Sequence, residues 1–302
     1  MAKITLRSLL AKSTPRRIRK LTPKFISKHL YFKGTFQISI SDSIKLNLHS
    51  GGYILENEMF WYGIEGGHEK ESIKLWTNYI QNFKPNSIFD IGANTGIYGL
   101  IAQSIAPDSI VNYFEPLPTA TSILDMNLKS NSFDGVIHQV ALSNYDGEGK
   151  FYLNSGDDFA YAITLNTYAD LAITGTHDSS KAYYELKVRV CRLATLLNER
   201  RLLVPNLMKL DVETSEFEVL TGMDGYIREV DAFLIEVLNS EQAKKLNTLF
   251  DGNDYRFFNI DDTKSVITEY QNIISTPNYN YFIVEKSLVS NFQYLKSKLG
   301  ID

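Results

Sequence analysis

Asp90, Gly92, Ala93, Asn94 and Gly96 lie within the run Ser87-Ile-Phe-Asp-Ile-Gly-Ala-Asn-Thr-Gly-Ile-Tyr-Gly-Leu100. An apolar stretch, a glycine turn and then helical spacing predict a strand, a loop and a helix in succession. Gly92 and Gly96 let the backbone approach a ligand closely. The helix start behind them offers unpaired N–H groups and the positive end of a dipole. Asp90 stands at the strand end, the lip where open α/β sheets bind ligands. Such a loop holds a polar small molecule against its backbone. A second acid, Glu115, ends the run Ile110-Val-Asn-Tyr-Phe-Glu115 and is followed by Pro116. A carboxylate at the tip of the next strand can accept hydrogen bonds from both hydroxyls of a ribose. A dinucleotide fingerprint would read G-x-G-x-x-G, whereas here Asn94 takes the middle glycine position of Asp90-x-Gly92-x-Asn94-x-Gly96.

A third group of acids suits proton transfer or orientation of a substrate. Asp211 and Glu213 close the run Met208-Lys-Leu-Asp-Val-Glu213 on the same lip. If the strand persists that far, alternation puts both on one face. Their alternative role is capping and first-turn charge for the helix predicted over 215–220. Glu236, in Leu234-Ile-Glu-Val237, is an acid in an apolar run, so it is expected to face a cleft or to pair with a cation. His68, after the Gly66-Gly67 turn, titrates near neutrality and is the second candidate base. Glu69 beside it would close over the bound molecule. Asp211, Glu213 and Glu236 could also hold a divalent cation through oxygen ligands, but three acids scattered in sequence make this the less favoured reading. His29, His49, His138 and His177 have no supporting context.

These residues need a frame. A small β unit is predicted over 31–56, with extended pieces at 35–40, 44–49 and 53–55, and a helix over 69–83 that stops before Pro85. Helices are predicted at 95–105, 118–130, 215–220 and, capped by Ser240, at 240–250. Strands are predicted at 87–91, 110–115, 136–142, 206–212, 231–238, 256–260 and 281–285. Strands alternating with helices give a mostly parallel sheet covered on both faces, and the late strand pair predicts an antiparallel closure. Between 142 and 206 no crossover helix is apparent. The pieces 150–153 and 185–193 there predict a β-ribbon, and an insertion of that length is expected to form a lid over the site, about 150–193. The expected division is a basic arm with a small β extension (1–67), then one large domain (68–302).

The chain is 44% hydrophobic and 22% charged, with 18 Tyr and 17 Phe, as in a soluble globular protein. No apolar run is long enough to span a bilayer. Ser8-Leu-Leu-Ala11 is too short for a secretory signal. The lone cysteine, Cys191, excludes an internal disulfide and suits a reducing compartment; its alternating surroundings predict a strand position rather than a nucleophile. Residues 1–33 hold ten Lys/Arg and no acid, leaving 21 basic against 35 acidic residues in the remainder. This asymmetry is expected to meet an anionic membrane surface, carrier or glycan; a merely solvated arm and a transit peptide are the alternatives. No nucleic acid partner is expected, and a homo-oligomer is compatible with the sequence.

Four motifs, Asp-Ile-Gly-Ala-Asn-Thr-Gly (90–96), Phe-Glu-Pro-Leu-Pro (114–118), Ala-Leu-Ser-Asn (141–144) and Met-Lys-Leu-Asp-Val-Glu-x-x-Glu-x-x-Val-Leu-x-Gly (208–222), occur in this order. Together they resemble the FkbM-type methyltransferases over roughly residues 68–240. The resemblance implies a Rossmann-like class I methyltransferase fold with a seven-stranded sheet. It implies S-adenosylmethionine as methyl donor, S-adenosylhomocysteine as product, and O-methylation of a sugar, glycan or natural-product hydroxyl. On that reading Asp90, Gly92, Ala93, Asn94 and Gly96 frame the methionine part, Glu115 and Pro116 hold the ribose, and Asn127 with Ala141, Leu142 and Ser143 flank the adenine. Asp211 lies at the meeting of donor and acceptor. The chain would work in the cytoplasm, at the inner face of a membrane if the basic arm engages lipid. The family tends to carry glycine where this chain has Thr214, and Asp where it has Ala194. Two other readings stand beside this one: a binding module of the same fold without chemistry, and a nicotinamide-dependent oxidoreductase, which the loop pattern disfavours.

Overall fold

The computed structural model describes residues 16–27, 29–51, 54–67, 69–154, 162–163, 183–250, 254–286 and 297. Among these, strands alternate with helices around an eight-stranded sheet. Its strands are β3 (Ser87–Ile91), β4 (Ile110–Phe114), β5 (Val136–His138), β10 (Leu207–Leu210), β11 (Ala232–Glu236), β12 (Tyr255–Asp261), β13 (Val266–Tyr270) and β14 (Asn280–Glu285). The order is β13-β12-β14-β11-β10-β3-β4-β5. The five strands from β5 to β11 run parallel, and β14, β12 and β13 close the sheet antiparallel. The sheet has one strand more than expected, because 266–270 folds back on β12 as a hairpin and its exposed, polar pattern carries little periodic signal. The central strands β3 and β10 are buried along their whole length because helices cover both of their faces.

One face carries Ile88, Leu207, Leu234 and Phe282 and packs on Ile73 and Trp76 of the Lys70–Phe83 helix, Leu100 of the Ile97–Ile105 helix and Leu124 of the Pro118–Asn131 helix. The other carries Phe89, Met208, Phe233 and Ile283 and packs on Leu196, Val219 and Leu246 of the helices Leu193–Arg200, Glu216–Thr221 and Ser240–Leu246. Burial of such side chains stabilises each by about 1.5–3 kcal/mol.

Several boundaries move for physical reasons. Of the piece expected to be extended at 53–55, residues 54 and 55 instead begin a helix, Ile54–Tyr62, and residue 53 lies outside the described residues. That helix buries Met59, Phe60, Trp61 and Tyr62, and Phe60 stacks on Phe32 at 4.0 Å. The predicted strand 136–142 splits. The Val140 N–H donates to the His138 carbonyl at 2.9 Å, turning the chain out of the sheet. The short strand β6 (Ala141–Leu142) then pairs parallel with β9 (Tyr183–Cys191). With β7 (Gly147–Asn154) and β8 (Ala162–Ile163) they form a second sheet, ordered β6-β9-β7-β8. The expected ribbon is therefore present, while the lid expected between its strands falls mainly on 155–161 and 164–182, outside the described residues. A helix does occupy 193–200 in the segment read as lacking one. The Ser240–Leu246 helix is capped by Asn239, whose Oδ1 accepts from the Gln242 N–H at 2.9 Å, and not by Ser240. Cys191 is buried at the end of β9.

The N-terminal hairpin β1 (Gly34–Ser39) and β2 (Lys45–Ser50) and the Ile54–Tyr62 helix share a continuous core with the main sheet, through Leu46, Leu48, Met59 and Trp61. Asn127 fixes the hairpin to the glycine loop. Its Oδ1 accepts from the His49 N–H at 2.6 Å and its Nδ2 donates to the Thr95 carbonyl at 2.9 Å.

Candidate active site

The carboxyl ends of β3, β4, β10 and β11 form one lip. At β3 the chain turns through Gly92 (φ 72°), Asn94 (φ 50°) and Gly96 (φ 90°) into the Ile97–Ile105 helix. Asparagine tolerates the left-handed region better than most residues, which accounts for Asn94 at a glycine position. At Gly92 a Cβ would lie 1.8 Å from the Asp211 carbonyl oxygen, so this glycine permits the close passage of the β3 and β10 exits. Asp90 is buried, and its Oδ2 accepts from the Gly99 N–H at 2.8 Å. It thus ties the first turn of the helix to the strand. Burial pushes its carboxyl up to about 7 against the pull of Lys209.

Glu115 closes the loop from β4. Its Oε2 accepts from the Asn94 N–H at 2.8 Å and its Oε1 from the Leu117 N–H at 2.9 Å. Burial nonetheless lifts it to about 7. Each oxygen keeps a second lone pair for a further donor. Ala93 is buried and Pro116 partly so.

Lys209 is the residue that sequence reasoning missed. It pairs in register with Asp90 across β10 and β3. The side chain is only 4% exposed and donates to Asp211 Oδ2 at 2.8 Å. Its ammonium also lies 4.8 Å from the centre of the Tyr98 ring. Burial opposes its charge, but Asp211, Glu69 and Asp90 outweigh that and hold the ammonium firmly protonated. Around it, Tyr98 Oη donates to Glu69 Oε2 at 3.1 Å, and Asn280 Nδ2 donates to Glu69 Oε1 at 3.3 Å. Asp262 accepts from the Glu71 and Ser72 N–H groups at 2.6 and 3.1 Å, fixing the helix that begins after Glu69. The signal for Lys209 was available: a cation inside Leu207-Met-Lys-Leu210 invites the same question as the acid inside Leu234-Ile-Glu-Val237.

The remaining acids meet at β10 and β11. Burial favours protonation of Asp211, but Lys209 and a hydrogen bond with Glu236 outweigh it, and the carboxyl stays below its usual range. Burial, then the charges of Asp211 and Glu213, push Glu236 strongly up. The pair therefore shares a proton resident on Glu236, which is a donor rather than a base in this state. Glu236 does meet a cation's field, but across Asp211. The strand does not persist to Glu213: β10 ends at Leu210, and Glu213 (φ 54°) and Thr214 (φ 80°) are both left-handed. Alternation therefore does not set their faces. Packing, then the charge of Asp211, lifts Glu213 to about 7. Glu216, buried, holds this turn by accepting from the Val212 N–H at 3.0 Å and from Gln242. The following helix, Glu216–Thr221, has no side-chain cap hydrogen bond, and its first-turn charge comes from Glu216 and Glu218 rather than from Asp211 or Glu213. No group of three His, Cys, Asp or Glu among the described residues is placed to hold a metal ion.

Other expected residues fall elsewhere. His68 lies outside the described residues. Ala141, Leu142 and Ser143 are buried and belong to the second sheet and its edge, not to the tip of a third strand. Ser143 packs on Gly222, where a Cβ would lie 2.1 Å from the Ser143 carbonyl oxygen. Asn127 is spent on the two structural bonds described above. His138 stacks on Phe114 at 4.6 Å, with Nε2 on Asn112 and Nδ1 on Arg200; burial and Arg200 lower it to about 4.

Compared with known proteins, residues 90–257 match the methyltransferase FkbM domain. That span covers more than half the chain and contains every motif of the lip. The chain belongs to the FkbM methyltransferase family. It is 31% identical to 31-O-demethyl-FK506 methyltransferase FkbM of Streptomyces tacrolimicus over 156 residues, 45% of this chain and 59% of that protein. It is also 31% identical to Methyltransferase 1 of Beauveria bassiana, over 162 residues, 51% of this chain and 65% of the relative. The match thus spans about three-fifths of these relatives. A solved SAM-dependent methyltransferase from Agrobacterium tumefaciens aligns at 10% identity and a TM-score of 0.42, over 84% of this chain and 71% of that one.

The FkbM domain gives the donor question a physical test. Glu69, Asp90, Asp211, Glu213 and Glu236 share one ammonium, Lys209, and four of the five are raised by burial. A lip short of positive charge fits a ligand that carries a sulfonium and an ammonium. The two departures from the family pattern also find places. Thr214 occupies a left-handed position that suits glycine. Ala194 is buried, its N–H donating to the Gly222 carbonyl at 2.9 Å, where an apolar side chain fits.

Proposed function

We propose that the protein is an S-adenosylmethionine-dependent O-methyltransferase acting on a hydroxyl of a sugar, glycan or natural product. The observation that carries this is the carboxylate-rich lip beside the glycine loop, in a chain of the FkbM family. The relative named for 31-O-demethyl-FK506 supports oxygen as the acceptor atom. The donor would supply an electrophilic methyl group. Asp90, Gly92, Ala93, Asn94 and Gly96 would frame its methionine part, Glu115 and Pro116 its ribose, and Glu69 and Lys209 would set the field around its charged end. Glu213, titrating near neutrality, is suited to take the acceptor's proton as the oxygen attacks. Asp211, anchored by Lys209, and Glu236 would orient the acceptor hydroxyl.

The test is calorimetric titration with S-adenosylhomocysteine on the intact chain and on Glu115→Ala. Micromolar binding that the variant weakens at least tenfold is expected. Absence of binding by the intact chain, or unchanged binding by the variant, would remove the assignment. A panel of hydroxylated acceptors with radiolabelled methyl donor then identifies the substrate class.

A further inference from the structure

Residues 16–33 carry seven Lys/Arg and no acid, and the lip makes no use of them. The fold holds this segment against the Ile54–Tyr62 helix rather than releasing it as an arm. Tyr62 Oη donates to the Thr22 carbonyl at 3.0 Å, Asn57 Nδ2 to the Ser27 carbonyl at 3.3 Å, and Trp61 Nε1 to the Leu30 carbonyl at 3.1 Å. The Arg19 guanidinium lies 3.7 Å from the centre of the Phe60 ring. Two short turns, Arg16–Arg19 and Lys24–Ser27, are thereby fixed on the body. Aliphatic side chains in and between them nonetheless face outward: Ile18 is 53% exposed, Leu21 80% and Ile26 39%. Ile18 and Leu21 are neighbours, because the Leu21 N–H donates to the Ile18 carbonyl at 3.0 Å.

We propose that this anchored double turn docks the protein on an anionic lipid membrane. Protruding aliphatic side chains within a wholly basic segment match the boundary between acyl chains and anionic headgroups, where both kinds of group gain. A soluble polyanion would neutralise the cations and leave Ile18, Leu21 and Ile26 in water. Glu65 sits 3.7 Å from Lys20 with both side chains exposed, so this pair is weak. The proposal stands whether or not the lip transfers methyl groups.

Vesicle flotation of the full chain tests it, with phosphatidylcholine alone and with added phosphatidylglycerol. Binding is expected to anionic vesicles only, and to weaken as salt shortens the screening length. Substitution R16Q/R17Q/K24Q should lower the partition on the order of a hundredfold, about fivefold per charge. Substitution I18S/L21S, which leaves the charge intact, should lower it about tenfold or more. Unchanged circular dichroism and S-adenosylhomocysteine affinity in both variants keep misfolding out of the comparison. No flotation with anionic vesicles overturns the proposal, as does flotation indifferent to I18S/L21S. Self-association lost in I18S/L21S without vesicle binding would assign the patch to a second copy instead and likewise overturn it.

Discussion

Glu213 differs from its neighbours in the state that matters for proton transfer. Asp211 is held ionised by Lys209, and Glu236 is held protonated by burial and then by the charges beside it. Glu213, lifted to about 7, exchanges its proton in the working range. If it serves as base, kcat/KM rises with pH through an apparent value near 7 as the carboxyl ionises. Glu213→Gln should then lower kcat on the order of 10²–10⁴-fold and abolish that limb, with S-adenosylhomocysteine affinity retained. A pH profile that survives the substitution would move the base elsewhere, with His68 the next residue to replace.

The strand exits make two of the glycine-type positions of the lip, 92 and 214, unequal. Gly92 faces backbone, the Asp211 carbonyl, at a distance no Cβ can accept, and its φ is 72°. Gly92→Ala must push β3 and β10 apart, at a cost of at least about 2 kcal/mol, and should abolish donor binding. Thr214 is the reverse case, a β-branched residue already at φ 80°. Thr214→Gly relieves a left-handed strain of about 1–2 kcal/mol, partly offset by the extra freedom glycine gives the unfolded chain. The urea midpoint should rise slightly for Thr214→Gly and fall clearly for Gly92→Ala. Equal midpoints for the two variants would contradict the packing at the exits.

Across the molecule, one core joins the N-terminal hairpin and helix to the main sheet. The two tryptophans report on the two sides of that junction: Trp61 on the N-terminal helix and Trp76 on the Lys70–Phe83 helix, both fully buried. In Trp61→Phe and Trp76→Phe the remaining indole follows one side each. Coincident urea midpoints are expected from a shared core, and separated midpoints would show an extension that unfolds on its own. The buried acids add a pH signature. Asp90 and Glu115 titrate near 7 and Glu216 near 8 in the folded chain, against about 4 when unfolded. Their contribution to stability is full below about pH 4 and is lost as pH rises through 7 to 8. His138 has the opposite sign, its contribution being lost as pH falls from about 6.5 toward 4. Without ligand, stability should therefore fall between pH 6.5 and 8.

The glycine loop, Glu115, the parallel strands and the acids of the lip were all legible in the chain, because each is written in consecutive residues. A strand's apolar run, the turn that stops it and the acid at its tip are local consequences of backbone sterics and periodicity. The shared proton between Asp211 and Glu236, the anchoring of Lys209 among acids from three strands and a helix, and the Asp262 clamp on Ser72, 190 residues away in sequence, are not local. Departure of Ala141–Leu142 into a second sheet follows from pairing with β9, some fifty residues on, and the break of the predicted strand is its consequence. Periodicity specifies which face a residue belongs to. Which distant groups meet on that face, and hence which acid is charged, follows only when packing removes water and brings their fields together.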